Sequence, residues 1–260
     1  MEPVSLAVSV GALAGLFNNA VDCFEYVQLG RSFGTDFQTS LLKLDNARLR
    51  LSRWGQAVGL SGNLEYARSL QEAAVSKENI DQAEEVLGQI IKLFAEAEGI
   101  STEYKRSANS DDRNFAILEA HADMDDLGQT LHEKMRELCI KRQNGTTLRK
   151  KVKWALYEEK HFKKLLKDIV DLVSDLLEVF PAVKQEQLKL CEIEVSEIGM
   201  EFLSVLLDIV RAQDKDLEAA ISAAMKSEQS KQGAAFNNYN SKIANQAASI
   251  AIHGGQTIHL

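Results

Sequence analysis

Basic residues are absent from the first thirty positions; Arg31 is the first Lys or Arg of the chain. A secretory signal needs a basic segment ahead of its apolar stretch, and a mitochondrial transit peptide needs arginine, so neither fits. Proline is nearly absent too, with two in 260 residues, which together with long periodic apolar runs argues against a β-sandwich. Cysteine is scarce: Cys23, Cys139 and Cys191 are far apart, odd in number and without metal spacing. They read as free thiols of a reducing compartment, and the expected location is the cytosol.

Catalytic motifs are also missing. There is no GxGxxG, P-loop or GxSxG. His132-Glu133 opens like a zinc-protease motif, but Arg136 stands where the second His belongs. Asp123, Asp125 and Gly128 begin like a calcium loop, but Leu127 takes a ligand position and Lys134 replaces the closing Glu. No catalytic, cofactor or metal residue is expected, and the protein reads as a non-enzyme. A net charge of -8 excludes a molecule built overall to bind nucleic acid.

What the chain does contain starts with an uncharged run, Pro3 to Val21. At about 1.5 Å per residue it falls just short of a hydrocarbon core of about 30 Å. Ala, Ser, Gly, Asn18 and Asn19 make it a poor permanent anchor. Gly11 and Gly15 form a GxxxG pair, a spacing that suits close helix contact in lipid or in a soluble core.

The remainder reads as all-α. A helix is expected from Val4 to Leu29, then a turn at Gly30 to Gly34. The next helix carries Phe37, Leu41, Leu44, Leu51, Trp54 and Val58, with Arg48, Arg50 and Arg53 between them. A short helix is expected over 64–75 and a longer one through Phe94, fraying near Gly99. Further helices are expected over 114–140, from Thr146 or Thr147 to Phe180, and from Leu188 to Ile209 with reach to Met225. The expected division is a helical domain over 1–226 and a loosely attached tail over 227–260 whose apolar residues keep helical spacing.

One basic region stands out between Lys141 and Lys167. Lys150, Lys151, Lys153, Lys160, Lys163 and Lys164 are candidates to meet anionic headgroups, each contributing about 1 kcal/mol near the surface. Alternatively the region balances the acidic helix bearing Glu192, Glu194, Glu197 and Glu201.

The segment Gly15 to Gly34 (GLFNNAVDCFEYVQLGRSFG) resembles the opening of the HeLo domains of fungal HET-s/HET-S incompatibility proteins. So do Leu44 to Val58 with its RLSRWG core, Lys153 to Tyr157 (KWALY), Leu177 to Pro181, and Ala251 to Gly255. The resemblance covers nearly the whole chain. It implies a multi-helix bundle acting in fungal programmed cell death on fusion of unlike strains. It also implies a conditional N-terminal segment, 1–30, that is released on oligomerisation and inserts into the membrane. The protein would be cytoplasmic at rest and at the cell membrane once activated, with partners among its own copies, related HeLo or prion-domain proteins and anionic lipid.

The family's prion-forming region would begin after Gly255, where this chain has only Gln256 to Leu260. The tail is therefore read as a linker toward a region this sequence does not include. Candidate insertion residues are Leu6, Val10, Gly11, Leu13, Gly15, Leu16, Phe17 and Val21. Asp22, Glu25 and Ser32 are the candidates that set activity. The alternative to an executioner is a non-lytic module that pairs with and modulates a related HeLo protein.

Overall fold

A computed structural model describes residues 3–61, 76–107, 116–143 and 153–234, with side chains from 11 to 230 within those spans. The expected short helix over 64–75, the helix start at Thr146 or Thr147 and the tail beyond 234 lie outside the described residues, as do Lys150, Lys151 and the side chains of Leu6 and Val10.

The bundle is organised around one helix buried on every side. Helix α1 spans Pro3–Phe24, strand β1 Val27–Gly30, and α2 Phe37–Val58. From Leu44 to Gly55 nearly every α2 side chain is buried. One side, with Leu44, Ala47, Leu51 and Trp54, faces a core shared with α1, α3 (Lys77–Ser107) and α6 (Glu159–Val179). The other, with Leu42 and Leu49, faces a second core. That core is completed by α5 (Asp126–Arg142), α7 (Lys184–Ile198), α8 (Leu203–Val210) and α9 (Lys215–Ala234). The four-residue helix α4, Ala120–Asp123, precedes α5 in the chain. Gly59 closes α2 in the left-handed conformation (φ 87°), which costs glycine little.

Several expected helices are shorter than the periodicity suggested. The first ends at Phe24; Glu25 and Tyr26 turn, and β1 follows as the middle strand of a small sheet. Strand β2 (Ile117–Leu118) pairs antiparallel with it, and β3 (Trp154–Leu156) pairs parallel. So the helix expected from Asn114 begins instead with a strand, and the one expected to run to Phe180 begins at Glu159. Long-range pairing overrides helical spacing in both places. The segment expected to continue from Leu188 to Met225 is three helices, broken at Gly199 (φ 97°) and again at 211–214. The α3 helix passes through Gly99 to Ser107, and α9 runs across the boundary expected after residue 226. Pro181 does mark the end of α6.

All three thiols are free and buried. Burial pushes Cys191 up to about 12, which keeps it protonated and unreactive.

Candidate functional site: the seat and anchor of the first helix

Helix α1 is held by an apolar seat along its length and a polar anchor at its end. Leu13, Phe17 and Val21 recur at four-residue spacing and are fully buried, with Ala14 and Ala20 beside them. Phe17 lies against Trp54, ring centroids 6.2 Å apart, and over Gly55, where any Cβ would collide with its ring. Phe24 meets Phe94 edge-on at 4.8 Å. Leu16 is partly buried against the same core.

The opposite face of α1 is different. Gly11, Ala12, Gly15 and Asn19 are exposed, and a Cβ added at Gly11 or Gly15 would touch nothing. The GxxxG pair is therefore not a close crossing within the bundle: it faces solvent. Among the described residues no helix is long and apolar enough to cross a membrane.

The anchor ties the three residues nominated from sequence to α2, α5 and the residue after β3. Asp22 Oδ1 accepts from Gln143 Nε2 at 2.7 Å, at the end of α5. Glu25 accepts from Arg136 of α5, Nε at 2.9 Å and Nη2 at 3.2 Å, and from Arg48 Nη1 of α2. Ser32 donates to the Tyr157 carbonyl just past β3. Glu25 is thus a carboxylate between two guanidiniums, the fork geometry that holds a carboxylate best. Beside it His132 Nδ1 lies 2.7 Å from Asp45 Oδ2. Burial alone would lower the His132 pKa, but the Asp45 bond raises it above the ordinary value.

Sequence reading missed Arg48, Arg136, Gln143, Tyr157 and Gly55. Arg136 was noticed only as the residue that spoils a zinc motif. A usable signal existed for Arg48: the α2 sequence has apolar residues on two faces, so arginines between them must be buried and paired. The calcium-like pattern has a local explanation. Asp125 caps α5, accepting from Gly128 N at 2.7 Å, and Gly128 leaves room for Gln38. No group of three His, Cys, Asp or Glu side chains among the described residues could hold a metal ion.

The basic region divides. Lys141 and Arg142 do pair with the acidic helix, to Glu197 at 3.1 Å and Glu194 at 2.6 Å. Lys160, Lys163, Lys164 and Lys167 recur on one exposed face of α6, and Lys153 is exposed before β3. Of these, Lys163 pairs with Glu159 and Lys167 with Asp171, both within the helix.

The chain as a whole is similar to known proteins. The HeLo family model, described as prion-inhibition and propagation, matches residues 5–207. The chain is 34% identical to heterokaryon incompatibility protein s of Podospora anserina over 98% of its own length and 87% of that protein's. It is 36% identical to heterokaryon incompatibility protein S of the same species, over 86% and 72%. The solved HET-s N-terminal domain superposes with a TM-score of 0.73 at 33% identity, covering 84% of this chain and 98% of that one. A doubly mutated form of that domain gives 0.74 at 34%, covering 82% and 98%. With a family match across most of the chain and the same fold at this identity, the protein belongs to the HeLo family.

Proposed function

We propose that this protein acts in fungal heterokaryon incompatibility as a conditional, membrane-permeabilising executioner. At rest it is cytoplasmic, with α1 in its seat. On oligomerisation α1 leaves the seat and enters the membrane, its exposed GxxxG face packing against other copies. The observation that carries this reading is the chemistry of the outward face of α1. A surface helix normally turns charge toward water. Here Gly11, Ala12, Gly15 and Asn19 are exposed and none is charged. The helix can therefore enter lipid without desolvating a charge until Asp22, where headgroups would solvate the carboxylate.

Two further features support it. The uncharged part of the helix falls just short of a bilayer core of about 30 Å and is only modestly apolar, which ties insertion to assembly rather than to the monomer. The exposed lysines of α6 and Lys153 offer a face for anionic headgroups. The anchor residues Asp22, Glu25 and Ser32 then set how readily α1 is released.

The test compares the intact chain with a deletion of residues 1–30 on dye-loaded anionic liposomes, under conditions that oligomerise the intact chain. Leakage from the intact chain alone is expected. Equal leakage from both would overturn the proposal. Leakage from neither would favour the non-lytic module that modulates a related HeLo protein.

A further inference from the structure

Among the described residues three carboxylates are buried: Asp45, Glu194 and Asp214. Glu194 and Asp214 each meet a guanidinium, whose charge is fixed. Asp45 does not. Its side-chain partner among the described residues is the His132 imidazole, Nδ1 to Oδ2 at 2.7 Å. That separation is the length of a charge-assisted hydrogen bond. The counter-charge of Asp45 therefore depends on a proton, and histidine is the side chain that gains or loses one near neutral pH.

The pair is built into the anchor of α1. Asp45 and Arg48 lie one turn apart on α2, and His132 and Arg136 lie one turn apart on α5. Asp45 with His132, and Glu25 with Arg48 and Arg136, are thus neighbouring rungs across the same two helices. Arg48 attracts the Asp45 carboxylate and Glu25 repels it; Arg136 repels the imidazolium and Glu25 attracts it. The other charged groups nearby are placed elsewhere. Glu119 and His121 pair with each other at 3.1 Å at the start of α4, and Lys153 stands exposed before β3. From α7, Glu194 and Glu197 reach Arg142 and Lys141 farther along α5. On α5 itself Glu133 is exposed and accepts from Gln129, and before its first turn Asp125 accepts from Gly128 N and Gln38.

We propose that a proton on His132 locks this end of α1: with the imidazolium on Asp45 the first rung is neutral in itself and Arg48 stays with Glu25. Without the proton, His132 still donates Nδ1–H but brings no charge, and a buried carboxylate is left to compete with Glu25 for Arg48. The direction is the same for both members of the pair. Burial alone would lower the His132 pKa, but the Asp45 bond raises it above 6.5, and burial raises the Asp45 carboxyl above 3.8. The folded chain therefore holds the proton more tightly than the unfolded one. On the neutral side the lock is complete below pH 6.5 and is lost as pH rises through the raised His132 value. Under the proposed function, on which this consequence alone rests, alkaline conditions favour release of α1.

The test follows the full chain by NMR and by hydrogen exchange, with exchange rates corrected for their intrinsic pH dependence. The His132 ring is expected to titrate above 6.5, and below it in Asp45→Asn, where burial is no longer opposed. Protection of residues 20–30 is expected to drop by about threefold or more from pH 6 to pH 8, relative to α7. Both variants should be flat over this range, at opposite levels. Asp45→Asn stays protected, because Glu25 keeps Arg48 unopposed; His132→Asn stays open, because Asp45 never has a counter-charge. A merely structural pair would lower protection in both variants and keep the pH slope. A slope retained in either variant, no slope in the intact chain, or His132 titrating at or below 6.5 would overturn the proposal. Asp45→Asn removes a buried charge rather than stranding one, so the test stands even where His132→Asn fails to fold. No readout involves leakage, so failure here leaves the executioner reading standing.

Discussion

Two charge networks hold this bundle together with the same chemistry and opposite consequences. In the centre, Arg53 binds Glu194 (Nη2 to Oε2, 2.6 Å) and Asp214 (2.9 Å), and Arg142 binds Glu194 at 2.6 Å. The side chains of Arg53, Glu194 and Asp214 are at most 1% exposed. At the end of α1, Glu25 sits between Arg48 and Arg136, but Glu25 is 13% exposed and Arg136 42%. The central network joins α2, α5, α7 and the start of α9, and breaking it strands a charge with no water to take it. The anchor network lines a cleft open to solvent, so its charges separate at lower cost. The difference teaches that burial, not the identity of the pair, decides how much it costs to break a contact.

The strongest attack on that contrast is Glu194→Ala. It leaves Arg53 and Arg142 buried against one carboxylate and should cost about 3–5 kcal/mol of unfolding free energy, read by urea denaturation. A loss below about 1 kcal/mol would refute the central role. The same network predicts acid sensitivity. Burial alone would raise the Asp214 pKa, but Arg53 holds it below the ordinary carboxylate value of 3.8. Its stabilisation is therefore complete above pH 3.8 and is lost as pH falls through the depressed pKa, because the unfolded chain binds the proton first. Asp214→Asn should flatten the fall in stability below pH 3.8; an unchanged slope would assign the acid transition elsewhere.

Next in size is Gly55→Ala, which places a methyl group where the Phe17 ring lies. Overpacking of this kind costs about 1–3 kcal/mol. Hydrogen exchange should show protection lost in α1 and kept in α7 and α9; uniform loss across the bundle would mean that the seat is not a separable unit. Glu25→Gln should cost about 1.5 kcal/mol, reduced by the exposure of Arg136, and should raise α1 exchange without moving the central network. The smallest effect has the opposite sign. Gly15→Ala touches nothing at rest and should stabilise the bundle by about 0.5–1 kcal/mol through helix propensity alone. If the exposed GxxxG face packs copies together, the same variant should lower liposome leakage despite its greater stability. Leakage that simply tracks stability would remove that role.

Much of the seat was legible in advance. Leu13, Phe17 and Val21 recur at helical spacing in a run without charge, and all three are buried. The helix over 37–58 and the stop at Pro181 were likewise written locally, in periodicity and in glycine and proline chemistry. The nominated residues at the far end of α1 followed from resemblance rather than spacing, and nothing local announced their partners. Glu25 finds Arg136 across 111 positions, and Ser32 finds Tyr157 across 125. The region after Phe24 misled for the same reason: Val27 to Leu29 continues a helical pattern, yet β1 pairs with strands 87 or more positions later.

The sequence by itself determined the helical class, the uncharged first segment and the face by which that segment is buried. Each follows from short-range repetition along the chain. Only the tertiary structure decided that α2 is enclosed on all sides, that its arginines serve one fully buried and one partly exposed network, and that the glycine face of α1 looks outward. Those outcomes depend on which distant carboxylate reaches which guanidinium, and on how much water remains beside it.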